Sequence, residues 1–552
     1  MGTETMARSV LRHATLAALL VFSAAGVASV PAFAQDGISA RIEAESARRL
    51  KAEEDAASVR QTGPGVITEP LNRRDLPPPG GPTLMLASVS FSPASAFLTG
   101  AELDAIKAGY VGRSVDFSQL SKLVRDVNDL YAEKGVVTAA AVLGPQDLGD
   151  GKLVITLVEG QLGAVAFTGE RQTKTKFILD RIRMAQGTTV DVPTAARDIA
   201  YFNQTNQAQL RLLLQPGAAF GLTDLVYGVT EPAPHQLQFF FDNNGVESTG
   251  ELRASVLYRR YGLLGIDDTF LAYIEKSRGS RSATVRADAP FTPGGTRLAF
   301  SGTISRYSVV SGPTAGLDLS GKAHSASVTV TQPLIATDRF VLQATAAAFK
   351  GSSWSYSAGV PLVDVRTTKR SVGLLLGSYG DNWRFDSQVQ AVSATVDDTI
   401  AANSTRYSVT TGSFDGTYRL NNGMAFIGRG AWQSTHEVLL PGELLFQIGG
   451  PTTVRGYPSD GVAGDSGFYA NFELHKAFQV KDKQVNGFAF LDVGEVHSSF
   501  PSVTSLASVG LGTSYAFSEN GRFDLVVGVP IKNALASQSD ATLSATLTLA
   551  RF

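Results

Sequence analysis

Leu252-Arg253-Ala254-Ser255-Val256-Leu257-Tyr258-Arg259 changes character almost residue by residue, and that rhythm decides the fold. Leu252, Ala254, Val256 and Tyr258 form one apolar parity; Arg253, Ser255 and Arg259 fall on the other. A period of two is that of a β-strand with one apolar and one wet face. Working outward, the pattern recurs in Leu237/Phe239/Phe241 against Gln236/Gln238, and in Ala283/Val285/Ala287/Ala289 against Thr284/Arg286/Asp288. It returns in Leu298/Phe300/Gly302/Ile304, in Phe340/Leu342/Ala344/Ala346 and in Phe468/Ala470/Phe472/Leu474. Such strands have two homes, a soluble sandwich or a membrane barrel with lipid outside and water inside.

Three features favour the membrane. The strands are ~10 residues long, enough for a tilted span of the hydrocarbon layer. Short turns such as Asp242-Asn243-Asn244-Gly245 and Leu420-Asn421-Asn422-Gly423 alternate with longer loops, the asymmetry of outer-membrane barrels. The chain ends in Arg551-Phe552, a C-terminal aromatic common in barrels; Leu543, Leu547 and Leu549 lie on the parity opposite Phe552, which implies a bulge or an atypical ending. About 16 strands are predicted, an even number as a single-chain bacterial barrel requires, at ~20 residues per strand and connection.

The composition agrees with a large β protein. Of 552 residues only 18% are charged, 43% are hydrophobic and 55 are glycine. Lys+Arg is 48 against Asp+Glu 50, a net charge of −2, so there is no electrostatic case for nucleic acid. Cysteine is absent, which excludes disulfides, thiolate metal sites and cysteine catalysis. The six histidines (His13, His235, His324, His436, His475, His497) show no metal-ligand spacing, and no nucleotide motif is present, so no cofactor is expected.

At the front, Arg8, Arg12 and His13 precede an apolar run over 16–30 that ends in Pro31-Ala32-Phe33-Ala34. This reads as an export signal over 1–34; as a transmembrane anchor the run is short of the ~20 apolar residues needed. Residues 38–60 have helix-forming composition, with Glu43–Arg48 and Glu45–Arg49 near one another, but Ile42, Leu50 and Val59 make a poor apolar stripe. A helix polar nearly all round sits in a wet environment or is marginal. Pro64, Pro70, Pro77, Pro78, Pro79 and Pro82 mark 61–82 as an extended linker.

Two β-α-α-β-β units follow. The first has a strand at 84–91, helices at 101–108 and 117–133, and strands at 136–143 and 152–158. In its longer helix Leu120, Leu123, Val124, Val127, Leu130 and Tyr131 recur at helical spacing, with Asp116 as N-cap and Gly135 just past the end. The second repeats the order, with a strand at 163–167, helices at 176–184 and 193–203, and strands at 210–214 and 222–229.

The candidate site lies in the glycine- and proline-rich segment 441–467. Its tip reads Thr452-Thr453-Val454-Arg455-Gly456-Tyr457 and joins strands 11 and 12 of the predicted barrel. Strand 13 contains Phe488-Ala489-Phe490-Leu491-Asp492-Val493-Gly494, in which Ala489, Leu491 and Val493 share one face. A carboxylate facing lipid is costly, so Asp492 is assigned to the lumen with Phe488, Phe490 and Gly494. Arg455 can pair with it if the loop folds inward, because the guanidinium fork matches a carboxylate. Phe490 and Tyr457 are placed nearby, as faces on which the guanidinium can stack, and Gly456 permits a tight backbone. Gly464-Asp465-Ser466-Gly467 imitates a serine-protease nucleophile segment, but no base and second aspartate accompany it, and the chain is not read as an enzyme.

Leu130-Tyr131-Ala132-Glu133-Lys134-Gly135, Gln146-Asp147-Leu148-Gly149-Asp150-Gly151 and Leu157-Val158-Glu159-Gly160 resemble the first POTRA domain of two-partner secretion transporters. Pro216-Gly217 with Gly221, Asp224 and Leu225 resembles the end of the second. Val454-Arg455-Gly456-Tyr457, Phe490/Asp492/Gly494, Gln447-Ile448-Gly449-Gly450-Pro451 and Ala463-Gly464-Asp465 resemble the in-folded loop and strand motif of the ShlB/FhaC/HecB haemolysin secretion/activation family. The resemblance implies a mainly β chain: signal peptide 1–34, plug helix 35–60, linker 61–82, POTRA domains 83–160 and 161–232, and a 16-stranded transmembrane barrel 233–552 with in-folded loop 435–467. It also implies a conformational latch made by Val454, Arg455, Gly456, Tyr457, Phe490, Asp492 and Gly494. The implied function is type V secretion: an outer-membrane pore, inserted by the barrel-assembly machinery, that moves an unfolded adhesin- or haemolysin-like exoprotein to the cell surface. An insertase of the same superfamily is the alternative; the plug helix and only two POTRA domains weigh against it.

Overall fold

A computed structural model describes residues 33–57, 66–67, 76–169, 171–183, 188–219, 221–480, 483–497, 503–535 and 538–551. The export signal expected over 1–34 lies outside them except for Phe33 and Ala34, which open a helix running Phe33–Ala57.

Sixteen strands among the described residues close into a barrel in chain order, each antiparallel to its neighbours. Strand 1 is His235–Asp242 and strand 16 is Thr542–Arg551, and they seal the cylinder from Leu237↔Arg551 to Asp242↔Thr546. Closure satisfies every ladder group without water, the condition for a sheet in lipid. The side-chain alternation follows the sequence. Phe241, Val285, Phe300, Leu474 and Leu491 are exposed on the outer face, while Gln236, Gln238, Ser255, Arg259 and Asp492 are buried on the inner one.

Three expectations for the barrel change. The strands are not uniformly ~10 residues: strands 6, 7 and 8 span Leu319–Ala336, Phe340–Ser357 and Val360–Tyr379, of 18, 18 and 20 residues. A two-residue period does not stop where hydrocarbon ends, so alternation alone misses the polar extension beyond the membrane. Asp242-Asn243-Asn244-Gly245 is not a short turn. It starts a longer connection that holds a 3-10 turn at Glu247–Thr249, at the barrel end opposite the Leu420–Gly423 turn. Strand 16 keeps regular register with strand 1 through Arg551 and with strand 15 through Leu549, so of the two expectations, a bulge or an atypical ending, the bulge is absent among the described residues; Phe552 lies outside them.

The first α/β unit packs helices Gly100–Ala108 and Phe117–Glu133 on a sheet ordered Ser88–Ser92, Lys152–Glu159, Ala139–Val142. Asp116 caps the longer helix through the Gln119 N–H, and Leu120, Leu123, Val127 and Tyr131 enter the core. The single strand expected at 84–91 is split, because Leu84–Met85 pairs with Ser114–Val115 instead. Ala87 and Ser88 then both donate to the Gly151 carbonyl, which turns the chain into the main sheet. In the second unit, helices Thr175–Leu179 and Val192–Thr205 cover a sheet ordered Val66–Ile67, Gln209–Pro216, Leu222–Thr230, Gln161–Thr168. The segment read as pure linker thus supplies Val66–Ile67 as a parallel strand on Leu212 and Leu213.

One carboxylate clamps this unit to the barrel. Asp267, in the connection after strand 2 (Arg253–Tyr261), is wholly buried at φ 63°. It accepts from the Ala208 N–H at 2.8 Å, the Gln207 N–H at 3.0 Å and the Tyr261 hydroxyl at 2.8 Å, and pairs with Arg297 Nη1 at 2.8 Å. Removing one partner of a buried pair costs about 3–5 kcal/mol. Asp267→Ala should therefore lower the melting temperature in detergent and open the 205–208 segment to protease. Unchanged melting and cleavage would show that the clamp carries no such weight.

Candidate functional site in the barrel lumen

The loop between strand 11 (Met424–Ser434) and strand 12 (Ser466–Val480) turns into the barrel. Its base is tied by Asp465, whose carboxylate accepts from the Leu439 and Leu440 N–H groups at 3.1 and 2.9 Å, and by Ser466, whose hydroxyl accepts from the Thr435 N–H at 3.0 Å. Asp465 and Ser466 of the Gly464–Gly467 segment thus tie the base of the loop together. Phe446–Ile448 pairs with Val462–Gly464 to make a short stem. Beyond it, Gly449 and Gly450 at φ 109° and 85° reverse the chain, and Thr453 Oγ1 bonds both the N–H and the carbonyl of Gly449 at 2.8 Å.

At the tip Arg455 meets strand 13 (Lys483–His497). Its Nε donates to Asp492 Oδ2 at 2.7 Å and its Nη2 to Oδ1 at 2.7 Å, a bidentate fork; its backbone N–H adds a third bond to Oδ2 at 3.0 Å. Asp492 is 0% exposed. The guanidinium lies 3.7 Å over the Phe490 ring centroid, with Phe488 further off at 5.9 Å. Val454 is packed among Ile448, Tyr457, Val496 and Leu506. It fits because Gly494 has no side chain: a Cβ there would come within 3.0 Å of Val454 Cγ2. Gly456 at φ 89° runs against Gly528 of strand 15 (Gly521–Pro530), where an added Cβ would meet the Gly456 nitrogen at 2.6 Å.

All seven sequence-selected residues are brought to one place, and Tyr457 has a different task from the one expected. It does not stack on Arg455; its hydroxyl bonds the carbonyls of Ala507 and Lys532, both at 2.9 Å, and so pins the tip to strand 14 (Val503–Ser518), which pairs with strand 13, and to the connection after strand 15. Sequence reasoning missed Glu473, whose Oε1 takes Arg455 Nη1 at 2.6 Å, and His475, whose ring nitrogen bonds Glu473 Oε2 at 2.7 Å and whose ring stacks on Phe488. It also missed Asn471, which bonds the Thr453 carbonyl. The signal was available. Asn471 and Glu473 lie on the parity opposite Phe472 and Leu474, and register sets them directly across from Asp492 and Phe490.

The Phe33–Ala57 helix occupies the same lumen. Glu45 and Arg49 do not pair with each other along the helix as expected. Glu45 takes Arg253 of strand 2 at 3.2 Å, and Arg49 takes Asp242 of strand 1 at 2.7 Å. Arg253 also bonds Asp242 at 2.9 Å and approaches Glu275 at 3.6 Å, so the wall's own side chains are ion-paired to one another as well as to the helix. Ile42 and Leu50 fill separate apolar niches, Leu50 among Phe240, Leu257, Leu271 and Tyr273. Their separation explains the missing stripe. Helix and loop touch: Arg41 reaches Gln447 Oε1 at 3.1 Å and the Ser459 carbonyl at 2.9 Å, and Arg48 reaches Thr452 Oγ1 at 3.2 Å. Fixed charges and forked hydrogen bonds make strong, reversible, non-covalent ties.

Residues 221–515 match the family model described as haemolysin secretion/activation protein ShlB/FhaC/HecB, and residues 84–160 match a ShlB-type POTRA domain. The outer membrane transporter CdiB of Dickeya dadantii is 28% identical over 208 residues, 37% of this chain and 36% of that protein. The heme/hemopexin transporter protein HuxB of Haemophilus influenzae is 23% identical over 248 residues, 44% and 43% of the two chains. These alignments span less than half of either relative's length. Among solved structures, CdiB from Escherichia coli has a TM-score of 0.67 at 18% identity, covering 93% of this chain and 99% of that one. BamA from Haemophilus ducreyi, lacking POTRA domains 1–3, has a TM-score of 0.50 at 14% identity, covering 85% and 100%; both likenesses are of fold. The family match takes in more than half the chain, including Arg455 and Asp492 alike. The chain thus belongs to the ShlB/FhaC/HecB family of two-partner secretion transporters, outer-membrane barrels with POTRA domains in the periplasm.

Proposed function

We propose that this protein binds an unfolded secreted protein through its periplasmic domains and passes it through the barrel to the cell surface. One observation carries the reading: the lumen is filled by a helix and a loop held by side-chain ion pairs and hydrogen bonds, fillers that can leave without breaking the wall. A passive pore has no use for removable fillers that are bonded to each other inside its lumen. The client's entry follows from strand edges. In the second unit Val66–Ile67 covers one side of the sheet, and Gln161–Thr168 forms the other edge, onto which an extended segment can add by backbone hydrogen bonds. The relatives' names, an outer membrane transporter and a heme/hemopexin transporter, fit a secretion role for this chain.

In this scheme Val454, Arg455, Gly456, Tyr457, Phe490, Asp492 and Gly494 form the latch of the resting state, with Glu473 as its second carboxylate. The helix is the plug. Transport requires both to move, and a client folding outside supplies the pull.

Co-expression with a candidate secreted client tests the function itself. Deleting the transporter should abolish surface release and leave other barrels inserted; failed insertion of other barrels with intact release would favour the insertase reading, which the BamA-like fold keeps in play. Arg455→Ala and Asp492→Ala should each reduce release at least several-fold while the barrel still shows heat-modified migration. Release at the unsubstituted level by either variant removes the latch. Glu45→Ala combined with Arg49→Ala should raise the conductance of the reconstituted barrel by loosening the helix; unchanged conductance would mean that those two ties do not hold it.

A further inference from the structure

Outside the lumen, one feature of the barrel surface is unexplained by transport. Strands 3 to 6 are Thr269–Lys276, Ser280–Pro290, Arg297–Ser308 and Leu319–Ala336. Across them the register places Lys276 opposite Arg281, Arg281 opposite Arg306, and Arg306 opposite Lys322. All four are exposed and on the outward parity, since Ile274 and Ile304 below them are exposed whereas Tyr273, Glu275 and Ser305 are buried inward. The row ends at Trp354, opposite Lys322, whose ammonium lies 5.0 Å from its ring centroid. Like charges directly opposite on neighbouring strands are destabilising. Among the described residues no ion pair compensates any of the four.

Because the strands tilt by ~40°, a row in register across four of them spans ~9 Å of height, and strand 5 fixes its level. Below it on strand 5 the outward side chains are apolar, Ile304, Phe300 and Leu298. From Leu298 to Arg306 a strand rises ~27 Å, which at a ~40° tilt is ~20 Å along the membrane normal. The cations therefore sit at the upper border of the apolar band, at the end remote from the periplasmic domains. That is the headgroup level of the outer leaflet. They also line an open groove of about 590 Å³, shared with Arg278 and the hydroxyl-bearing Tyr356.

We infer that this surface is a binding site for a multiply phosphorylated lipid headgroup, the chemistry that lipid A presents in the outer leaflet. Adjacent strands lie ~4.8 Å apart, so the four cations spread over ~15 Å, wide enough to engage more than one phosphate at once. The apolar strip beneath them receives the acyl chains of the same molecule. Arginine forks on phosphate oxygens supply directional bonds, and Trp354 closes the side where acidic Asp364 begins the next strand's rim. This docking rests on the outer-membrane placement and is independent of what the lumen transports.

The test uses the full-length protein purified from outer membranes and bis-phosphorylated lipid A as probe, read by native mass spectrometry and exchange binding. The unsubstituted protein should retain lipid A. The combined Lys276→Gln, Arg281→Gln, Arg306→Gln and Lys322→Gln variant should bind it at least about tenfold more weakly. Removing four other outward charges, by Lys350→Gln, Arg366→Gln, Arg370→Gln and Arg406→Gln, should leave binding within about twofold. Dephosphorylated lipid A should bind as poorly as the row variant does, and millimolar inorganic phosphate should not displace the lipid. Equal loss from both variants would reduce the row to a general cationic girdle and overturn the site, as would displacement by free phosphate. If the fourfold variant fails heat-modified migration, the Arg281→Gln, Arg306→Gln pair takes its place with the same criteria.

Discussion

A closed sheet in lipid has a wet interior, and that constraint orders everything else in this chain. Each strand must turn one parity to hydrocarbon, so the other must face inward and can carry charge. Asp242, Arg253 and Glu275 on strands 1 to 3, and Glu473 and Asp492 on strands 12 and 13, are consequences of that parity. Anything that fills such a lumen has to match charges distributed around a cylinder. The Phe33–Ala57 helix does so by being polar on most sides. An amphipathic helix would bury one stripe and leave the remaining wall charges unmet.

The same constraint explains why an arginine, and a forked one, sits at the loop tip. Asp492 is out of contact with water, so its charge needs a partner within reach. Arg455 satisfies both carboxylate oxygens, a second carboxylate on Glu473 and an aromatic face on Phe490 at once. A lysine offers a point charge and could not hold that geometry. Buried ion pairs contribute little net stability compared with apolar packing, because desolvation offsets most of the attraction. What they supply is a single well-defined position, which is what a tip residue 37 positions away from its partner in sequence requires.

Parity was the legible part. Alternation located the barrel, its strand count, the connection that carries Arg455 and the inward aim of Asp492, because each follows from a period of two that survives in a single sequence. Contacts set by register were less visible. Glu473 has the right parity, but only pairing of strands 12 and 13 shows it across from Phe490. Val66–Ile67 was hidden by surrounding prolines, since two residues leave no periodic trace. Glu45 and Arg49 were misassigned because helical spacing makes near neighbours obvious, while a wall 200 residues away in sequence leaves no local sign. Tyr457 was given a stacking role on the strength of its ring, whereas its hydroxyl found two carbonyls that no local pattern announces.

The helix and loop are bonded to different strands of the wall and also to each other, through Arg41 to Gln447 and Ser459 and through Arg48 to Thr452. That arrangement makes their departures thermodynamically coupled. When the helix leaves, the loop loses three hydrogen bonds and the 3.6 Å Arg41–Asp460 ion pair while keeping Arg455 on Asp492; when the loop swings away, the helix loses the same ties. Each event favours the other by one common free energy, since coupling between two sites is reciprocal. At about 0.5–1.5 kcal/mol per net hydrogen bond, three bonds amount to roughly 1.5–4.5 kcal/mol. This is enough to shift the partner's equilibrium about ten- to a thousandfold, and too little to make the two inseparable. In the proposed transport cycle a lumen filled by two coupled pieces stays closed until one of them is pulled. It then clears more readily than either anchor set alone would suggest.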